Sequence, residues 1–532
     1  MRIRPTIPIA ATFLFGLLSQ NLLIQTAVAQ GDQKVSFTLL QVNDVYEITP
    51  VSGEGGLARL ATLKKQLQAQ NPNTYMILAG DLFSPSALGT AKVDGVRLSG
   101  KQMVDSFNRA GLDFGTLGNH EFDLKGDEVN QRLQESKTKW IVSNATDSQG
   151  KLFPNTVANY ILTVTDTDQE IAKIGLFGVL LPSNPKDYVK YGDIFATATQ
   201  QVNELDPQVD MVVAITHLTV NQDRQLASQQ PKLDLILGGH EHENMAVEVG
   251  AGLPKIYKAD ANARSAYIHR ITYHLDTKKI DIQSELKRLG ADIPDDSEVA
   301  QVVNNWVKIA YDGFRKDGFE SEAVVATIPI PLDGLENSVR NHPTELAKLL
   351  AETMRLVTPN SEVALFNGGS IRIDDVLPAG KLTQYDVIRI LPFGGLVVGI
   401  EIKGSLLKQV LDVGRANVGS GGYLQTAGVS FIDNNWLIND QPLDLNRVYR
   451  AAVNDFLLTG KEGGLGFLTR SNPDIKVLAD GPDLRQAFIA EMKKRYNPVV
   501  APPAAPVNPA PPPPAKKGEC DSEDDDDDDD DT

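Results

Sequence analysis

The feature that most limits the fold of this 532-residue chain is a series of short apolar segments, each ending in a cluster of polar residues. Five such clusters lie at residues 41–46, 79–81, 118–123, 215–217 and 238–242, and they contain four of the seven histidines. Amphipathic helical patterns separate several of the apolar segments, and this alternation predicts a layered α/β domain. Ligands of such domains bind at the carboxyl ends of the strands, where the polar clusters would lie.

The spacing of apolar residues predicts individual elements. Strands are predicted at 35–42, 75–78, 114–117, 140–142, 174–179, 211–215, 233–237, 267–275 and 279–286, and helices at 57–70, 101–110 and 196–205. Residues 295–314 carry Asp-Asp-Ser at their start and apolar residues at helical spacing, which predicts one exposed connecting helix. A second α/β segment follows, with helices predicted at 345–356 and 483–495. Two such domains would leave a cleft between them.

The two ends of the chain differ from its body. Residues 1–29 carry Arg2 and Arg4, an apolar stretch and a final Ala-Val-Ala, which is the layout of a secretory signal peptide cleaved after Ala29. We therefore expect an exported protein, periplasmic or extracellular, with no membrane span after cleavage. The alternative is an uncleaved anchor helix, for which the apolar stretch is short. The single cysteine, Cys520, cannot form an internal disulfide, so the core must stabilise the exported fold.

Beyond the predicted folded part, residues 497–519 are rich in proline and alanine and predict a semi-rigid linker. Residues 520–532 include eight consecutive aspartates, which repel one another and predict a disordered tail. One hypothesis is that this acidic tail binds divalent cations or a basic surface, and the alternative is a solvated tail without a partner.

The chain carries 51 basic and 69 acidic residues, for a net charge of -18. Ten of the acids lie in the last dozen residues, and the body without tail and leader is still acidic. A negative field repels a phosphate backbone, so nucleic acid is excluded as the expected partner. Divalent cations remain compatible with this charge.

The donor types in the five clusters indicate a metal centre. Carboxylate, carboxamide and imidazole together suit Zn, Mn, Co or Fe better than Ca. In extended backbone, residues two apart face the same side, so Asp44 with Tyr46, and His240 with His242, are each expected to point two donors at one place. Any one of these histidines alone would more often be structural. Two cations about 3.5 to 4 Å apart can activate water and neutralise phosphate oxygens during in-line attack.

The clusters Gly-Asn-His-Glu-Phe-Asp at 118–123 and Gly-Gly-His-Glu-His at 238–242 resemble those of the calcineurin-like metallophosphoesterases. Residues 36–495 as a whole resemble the secreted 5'-nucleotidase and UDP-sugar hydrolase family. The resemblance implies an α/β fold in which a layered metallophosphoesterase sandwich domain, residues 30–294, is joined by a helix at 295–318 to a second α/β substrate-binding domain at 319–496. It also implies a domain rotation about the helix at 295–314 that carries bound substrate to the metals.

The same resemblance implies two divalent metal ions as cofactors. Asp81 would bridge the two ions. The remaining ligands would be Asp44, Tyr46 and His242 for one ion, and Asn119, His217 and His240 for the other. His120 would be the catalytic histidine near the leaving group, oriented by Asp123.

Tyr46 departs from the family pattern, which has histidine two residues after the first aspartate. A phenol, with a free pKa of about 10, is a poorer ligand for Zn at neutral pH. A more highly charged ion could deprotonate it. We therefore hypothesise either a weakened first metal site or a site that contains Fe.

The second domain carries the motif Asn-Gly-Gly-Ser-Ile-Arg at 367–372, which resembles the phosphate-contacting motif of the nucleotidase family. The resemblance implies that Arg372 binds phosphate as a planar, permanently charged fork, with Asn367 as polar support and Arg340 as a weaker candidate for the same task. Tyr423 and Phe456 match the two positions that stack on a base, although Phe456 could instead be an ordinary core residue.

A second departure concerns ribose recognition. Leu465 stands where the family has a ribose-binding aspartate, after an insertion of two residues, and Glu462 is a candidate substitute. The predicted function is two-metal hydrolysis of nucleoside 5'-phosphates to nucleoside and phosphate. The alternatives are the same chemistry on a 2',3'-cyclic nucleotide, a nucleotide sugar or another phosphomonoester, or a non-catalytic surface binding protein on this scaffold.

Overall fold

The computed structural model describes residues 33–182 and 186–496 of the chain. The predicted signal peptide at 1–29, the linker at 497–519 and the acidic tail at 520–532 lie outside the described residues, so these remain predictions.

The first group of elements extends from residue 34 to residue 316. Its strands are β1 Lys34–Val42, β2 Thr74–Ala79, β3 Lys92–Val93, β4 Val96–Arg97, β5 Phe114–Thr116, β6 Lys139–Ile141, β7 Ala145–Asp147, β8 Thr156–Val157, β9 Asn159–Thr165, β10 Ile171–Leu180, β11 Val189–Tyr191, β12 Met211–His217, β13 Leu235–Gly238, β14 Met245–Val247, β15 Lys255–Lys258, β16 Ser265–His274 and β17 Ile280–Arg288. Its helices are α1 Leu57–Gln70, α2 Lys101–Ala110, α3 Gly126–Glu135, α4 Ile194–Leu205, α5 Val220–Gln229 and α6 Ser297–Lys316.

Two sheets pack face to face in this first domain. The seven-stranded sheet has the order β17-β16-β1-β2-β5-β6-β8, and β1, β2, β5, β6 and β8 run parallel. The six-stranded sheet has the order β14-β15-β13-β12-β10-β9, and its four central strands also run parallel. Apolar side chains of both sheets, among them Phe37, Ile77, Leu176 and Val213, form one buried layer between them. The predicted layered sandwich is therefore confirmed.

The polar clusters follow the strands whose carboxyl ends meet at one edge of this sandwich. They come directly after β1, β2 and β5 of one sheet and at the ends of β12 and β13 of the other. Because the sheets stack on a shared apolar layer, this edge gathers side chains from five separate stretches of sequence.

The second domain is built from β18 Val324–Ile328, β19 Leu332–Asp333, α7 Glu336–Val339, α8 Glu345–Val357, β20 Val363–Asn367, β21 Val376–Leu377, β22 Gly380–Thr383, α9 Gln384–Ile390, β23 Leu396–Lys403, α10 Gly404–Ala416, β24 Leu424–Ala427, β25 Val429–Ile432, β26 Asn435–Ile438, β27 Gln441–Pro442, β28 Val448–Asn454, β29 Ile475–Asp483 and α11 Leu484–Arg495. A five-stranded mixed sheet, β24-β20-β28-β23-β29, forms its centre. Apolar residues of α10 and the sheet enclose a core of their own. The predicted two-domain α/β fold is confirmed.

Helix α6 corrects one prediction, because the connecting helix is not exposed on all sides. Asp296 caps it by accepting a hydrogen bond from the Val299 amide at 3.1 Å. One face packs on α1 and α2 and buries Val299, Val303, Ala310, Gly313 and Phe314. The apolar spacing of this segment therefore marks a helix docked on the first domain. None of the helices in the described residues has the length and apolarity required to span a membrane.

The docked face of α6 can be tested by substitution. Phe314 is 3% exposed, so Phe314→Ala is expected to remove about 3 to 5 kcal/mol from the free energy of unfolding. Lys308→Ala on the exposed face of the same helix is expected to change it by less than about 0.5 kcal/mol. Urea unfolding followed by circular dichroism measures both, and equal effects would contradict one-sided packing.

Candidate metal centre

Three non-glycine residues in the polar clusters have left-handed backbone. Asp44, Asp81 and His240 have φ angles of 52°, 58° and 81°. The expectation that Asp44 with Tyr46, and His240 with His242, lie in extended backbone is thus wrong, since each pair begins with a turn. The turns are bonded to one another: the Asp44 amide donates to the Gly80 carbonyl at 3.1 Å, and the Val45 amide donates to the Asp81 carbonyl at 3.0 Å. Strained backbone of this kind persists only where the surroundings enforce it.

Asp44, Asp81 and His217 form the centre of the site. Each offers one ligand atom, and these three atoms lie within 4.8 Å of one another. His217 Nε2 is 3.3 Å from Asp81 Oδ2 and 3.1 Å from Asn119 Oδ1. His217 Nδ1 donates to the Ala79 carbonyl at 2.9 Å, which directs Nε2 toward the carboxylates. The structure therefore brings together four of the predicted ligands.

Tyr46 points its phenol into the same centre. Its hydroxyl lies 3.1 Å from Asp44 Oδ1, 3.0 Å from Asp81 Oδ2 and 3.2 Å from His242 Nε2. The ring is 7% exposed and packs edge-on against His242, with ring centroids 5.6 Å apart. Tyr46 thus occupies the position in the cluster that its place in the sequence predicts.

The two histidines of the last cluster lie at its margin. His242 Nε2 is 3.6 Å from Asp44 Oδ1. The backbone amide of His240 donates to Asp44 Oδ2 at 2.9 Å, and its imidazole packs against His217 with ring centroids 5.4 Å apart. His240 therefore contacts the central three residues through its backbone amide and through ring packing.

The charges of this cluster fit bound cations. Asp44 and Asp81 are 0% and 1% exposed, and within residues 33–182 and 186–496 neither carboxylate forms an ion pair with lysine or arginine. Burial would lower the pKa of His217, but Asp81 and Asp44 outweigh burial and raise it to about 9. Burial and the same two carboxylates hold the pKa of Tyr46 well above its usual value. Two buried carboxylates beside imidazoles, with no lysine or arginine partner, suit a place where bound cations supply further positive charge.

His120 and Asp123 form a pair next to this cluster. His120 Nδ1 lies 2.7 Å from Asp123 Oδ2, and the His120 amide donates to Asp81 Oδ1 at 2.8 Å. Burial would lower the pKa of His120, but the carboxylates of Asp123 and Asp81 outweigh burial and raise it. The Asp123 carboxylate therefore holds the orientation of the His120 ring.

Arg372 of the second domain reaches the same site. It shares a small cavity with Tyr46, His120 and His242, and its guanidinium lies over the Phe393 ring at 5.7 Å. Its buried Nε makes no hydrogen bond within the described part of the chain. Arg340 pairs with Glu336, which lines the same cavity. A cationic side chain with a spare donor at this place is suited to an anion.

The other predicted substrate residues lie within the second domain. Asn367 Oδ1 accepts hydrogen bonds from Ser370 Oγ at 2.6 Å and Asn454 Nδ2 at 3.0 Å, so it holds its own loop. Tyr423 is partly buried, while Phe456 is 40% exposed. The core alternative for Phe456 is therefore wrong. Leu465 is 0% exposed within the domain core, so it cannot contact a ribose.

Glu121 is a positioning residue that the sequence reasoning missed. Its buried carboxylate accepts hydrogen bonds from the amides of Gly118 at 2.6 Å, Phe83 at 3.0 Å and Asp81 at 3.2 Å, and from Leu82. It thereby joins the loop of Asp81 to the loop of Asn119. Its place within the 118–123 cluster was the only available signal.

Lys258 was also missed, because it lies far from the clusters in sequence. Its ammonium is completely buried and donates to the carbonyls of Leu218 at 2.6 Å and Gly239 at 2.7 Å, next to the two histidines His217 and His240. Its charge is balanced by Asp223 at 2.8 Å and by Glu241. Lys258 therefore fixes the two loops of the six-stranded sheet that carry the predicted ligands His217 and His240.

Comparisons with known proteins agree with this architecture. Residues 37–244 match the family model of the calcineurin-like phosphoesterases, and residues 324–469 match that of the 5'-nucleotidase C-terminal domain. The chain is 25% identical over 529 residues to the 5'-nucleotidase of Bos taurus, and this alignment covers 86% of this chain and 89% of the relative. It is 24% identical over 506 residues to the trifunctional nucleotide phosphoesterase protein YfkN of Bacillus subtilis, which covers 83% of this chain but 33% of that relative.

A solved structure shares the fold across both domains. The 5'-nucleotidase precursor from Thermus thermophilus aligns with a TM-score of 0.71 at 22% identity, over 87% of this chain and 97% of that one. The fold and the donor cluster define a metallophosphoesterase with an appended second domain. The chain thus joins a calcineurin-like phosphoesterase domain to a 5'-nucleotidase C-terminal domain, and its relatives include 5'-nucleotidases. It is accordingly a hydrolase of phosphate esters that uses divalent metal. The alternative of a non-catalytic surface binding protein is therefore rejected.

The role of Glu121 can be tested with an isosteric change. Glu121→Gln turns an amide group toward the backbone donors, so we expect a loss of about 1 to 3 kcal/mol in the free energy of unfolding. Glu298→Gln, whose exposed carboxylate pairs with Arg109, serves as the control and is expected to change stability by less than about 1 kcal/mol. Chemical denaturation measures both variants, and a Glu121→Gln protein as stable as the control variant would contradict this role.

Proposed function

We propose that this protein hydrolyses nucleoside 5'-phosphates to nucleoside and phosphate outside the cytoplasm, with two divalent metal ions. The observation that carries the proposal is the buried cluster of Asp44, Asp81 and His217, whose carboxylates pair with no lysine or arginine of the described chain. Beside it lies a cavity that Arg372 shares with Tyr46, His120 and His242. Asp44, Tyr46 and His242 would hold one ion and Asn119, His217 and His240 the other, and Asp81 would contribute to both.

When bound, the ions would lower the pKa of water and neutralise the phosphate oxygens. The protein supplies the rest. Asp123 accepts a hydrogen bond from the Nδ1–H of His120, so the Nε2–H can be presented to the leaving oxygen. Arg372 offers its free Nε–H to the phosphate, and its charge favours the anion over water. Tyr423 and the exposed Phe456 provide aromatic surface for a base.

The substrate assignment is supported by the relatives, several of which are 5'-nucleotidases, including that of the venom of Crotalus adamanteus at 26% identity. The predicted signal peptide at 1–29 supports export. A second candidate keeps the metals and changes the ester to a cyclic nucleotide, a nucleotide sugar or another phosphomonoester. The burial of Leu465 favours it, because the chain offers no aspartate at the ribose position and leaves only Glu462 nearby.

A substrate panel separates these candidates. Purified protein is assayed with Mn, Zn, Co and Fe against AMP, 2',3'-cyclic AMP, UDP-glucose and an aryl phosphate. We expect the highest kcat/KM for AMP. A chelator is expected to abolish activity because it removes the metals, and Asp81→Asn is expected to abolish it because a proposed buried ligand is lost. Arg372→Lys is expected to raise KM, because the bidentate fork is replaced by a point charge. A higher kcat/KM for one of the other three esters would favour the second candidate.

The identity of the metals depends on Tyr46. We propose that the phenol serves as a ligand, which favours an Fe-containing site, because its oxygen lies 3.0 to 3.2 Å from three neighbouring donors. Tyr46→Phe is expected to lose one metal equivalent per chain and, in the Fe-loaded protein, the visible phenolate-to-iron absorption. Tyr46→His, which restores the family's residue, should retain two ions without that absorption. Full double Zn occupancy with wild-type turnover in Tyr46→Phe contradicts the proposal.

A further inference from the structure

Asp374 of the second domain contacts a predicted metal ligand of the first domain. Its Oδ2 meets His242 Nδ1, across 132 residues of sequence. Both side chains are largely enclosed, with 11% and 13% of their surfaces exposed. The contact therefore joins the second domain to the margin of the metal centre.

The carboxylate of Asp374 is fixed at both oxygens. Oδ1 accepts a hydrogen bond from the Glu336 amide at the start of α7, at 2.7 Å, while Oδ2 faces His242. The backbone of Asp374 is left-handed, with φ of 41°, which aspartate tolerates better than most residues. Its position is thus set by the fold of the second domain and not by the metal cluster.

This contact selects one form of His242. A carboxylate can only accept, so Nδ1 carries the proton and Nε2 is left to face the cluster, 3.2 Å from the Tyr46 hydroxyl and 3.6 Å from Asp44 Oδ1. A carboxylate behind a metal-binding imidazole holds the ring in place and raises its basicity as a ligand. We infer that Asp374 is a positioning residue that prepares His242 for metal, so that metal retention depends on the docking of the second domain.

Other contacts join the two domains without touching His242. Ser52 Oγ donates to Asp375 Oδ2 at 2.7 Å, and Tyr385 donates to Glu47 Oε2 at 3.1 Å. If docking raises the metal affinity through His242, metal binding must strengthen docking by the same factor. The adjacent residue Asp375 therefore provides a matched control, since it contributes to docking but not to the imidazole.

The inference rests on the proposed function in one respect, the assignment of His242 as a ligand. The test measures metal affinity of the full chain by competition with a chromophoric chelator, using Zn, and records the absorption of the Co-loaded protein. Asp374→Asn keeps the shape and tolerates left-handed backbone, and it is expected to weaken one of the two ions about 10- to 100-fold and to change the Co spectrum. Asp375→Asn is expected to leave both measurements as in the wild type.

Further variants separate the possible failures. Asp374→Gly, which also tolerates the backbone angle, must weaken the same ion, while Asp374→Glu is expected to recover part of the affinity. The inference is overturned if His242→Ala weakens metal binding and both Asp374→Asn and Asp374→Gly bind as tightly as the wild type. It is also overturned if Asp375→Asn weakens binding as much as Asp374→Asn, since docking alone then explains the loss. A His242→Ala protein with wild-type affinity would instead refute the ligand assignment in the proposed function.

Discussion

The arrangement of the first domain depends on the burial of two carboxylates, Asp44 and Asp81, at the edge of a sandwich without lysine or arginine beside them in the described chain. Isolated buried charges of this kind cost far more than one hydrogen bond returns. The surrounding structure supports them with backbone amides, imidazoles and a phenol, while Glu121 and Lys258 hold the loops that carry them. The parallel strands bring these loops to one edge, and the site follows from that convergence.

Much of this fold can be read from the sequence, because apolar periodicity is a local property. The predicted helices at 57–70 and 101–110 coincide with α1 and α2, and the predicted strands differ from those observed by a few residues at their ends. Strand β9, with its partly exposed pattern, was missed. The backbone of Asp44 and His240 could not be predicted, since the left-handed turns are imposed by hydrogen bonds to residues distant in sequence. The role of Asp374 could not be predicted for the same reason, because nothing near it in sequence indicates that it contacts His242.

The two departures from the family pattern have different structural weight. Tyr46 stands where the family has a shorter histidine, yet its hydroxyl contacts the side chains of Asp44, Asp81 and His242. The substitution therefore alters the chemistry of the site without emptying the position. Leu465 has instead joined the apolar core of the second domain, together with Leu457 and Leu468. A reversal at position 465 would place a carboxylate in that core, so polar recognition at this place would require the loop itself to be rebuilt.

The docking of α6 has a mechanical consequence. Gly313 lies so close to the backbone of Lys92 that a β-carbon there would be 2.7 Å from its carbonyl oxygen, which fastens the last turn of the helix to the first domain. Tyr311 and Phe314 at that end form an aromatic seat for Tyr385, with ring centroids 5.2 and 6.4 Å away. Because the end of α6 is fixed to the first domain, a rotation of the second domain would have to change the backbone of the short segment 317–323. The ring of Tyr385 would then move relative to Tyr311 and Phe314.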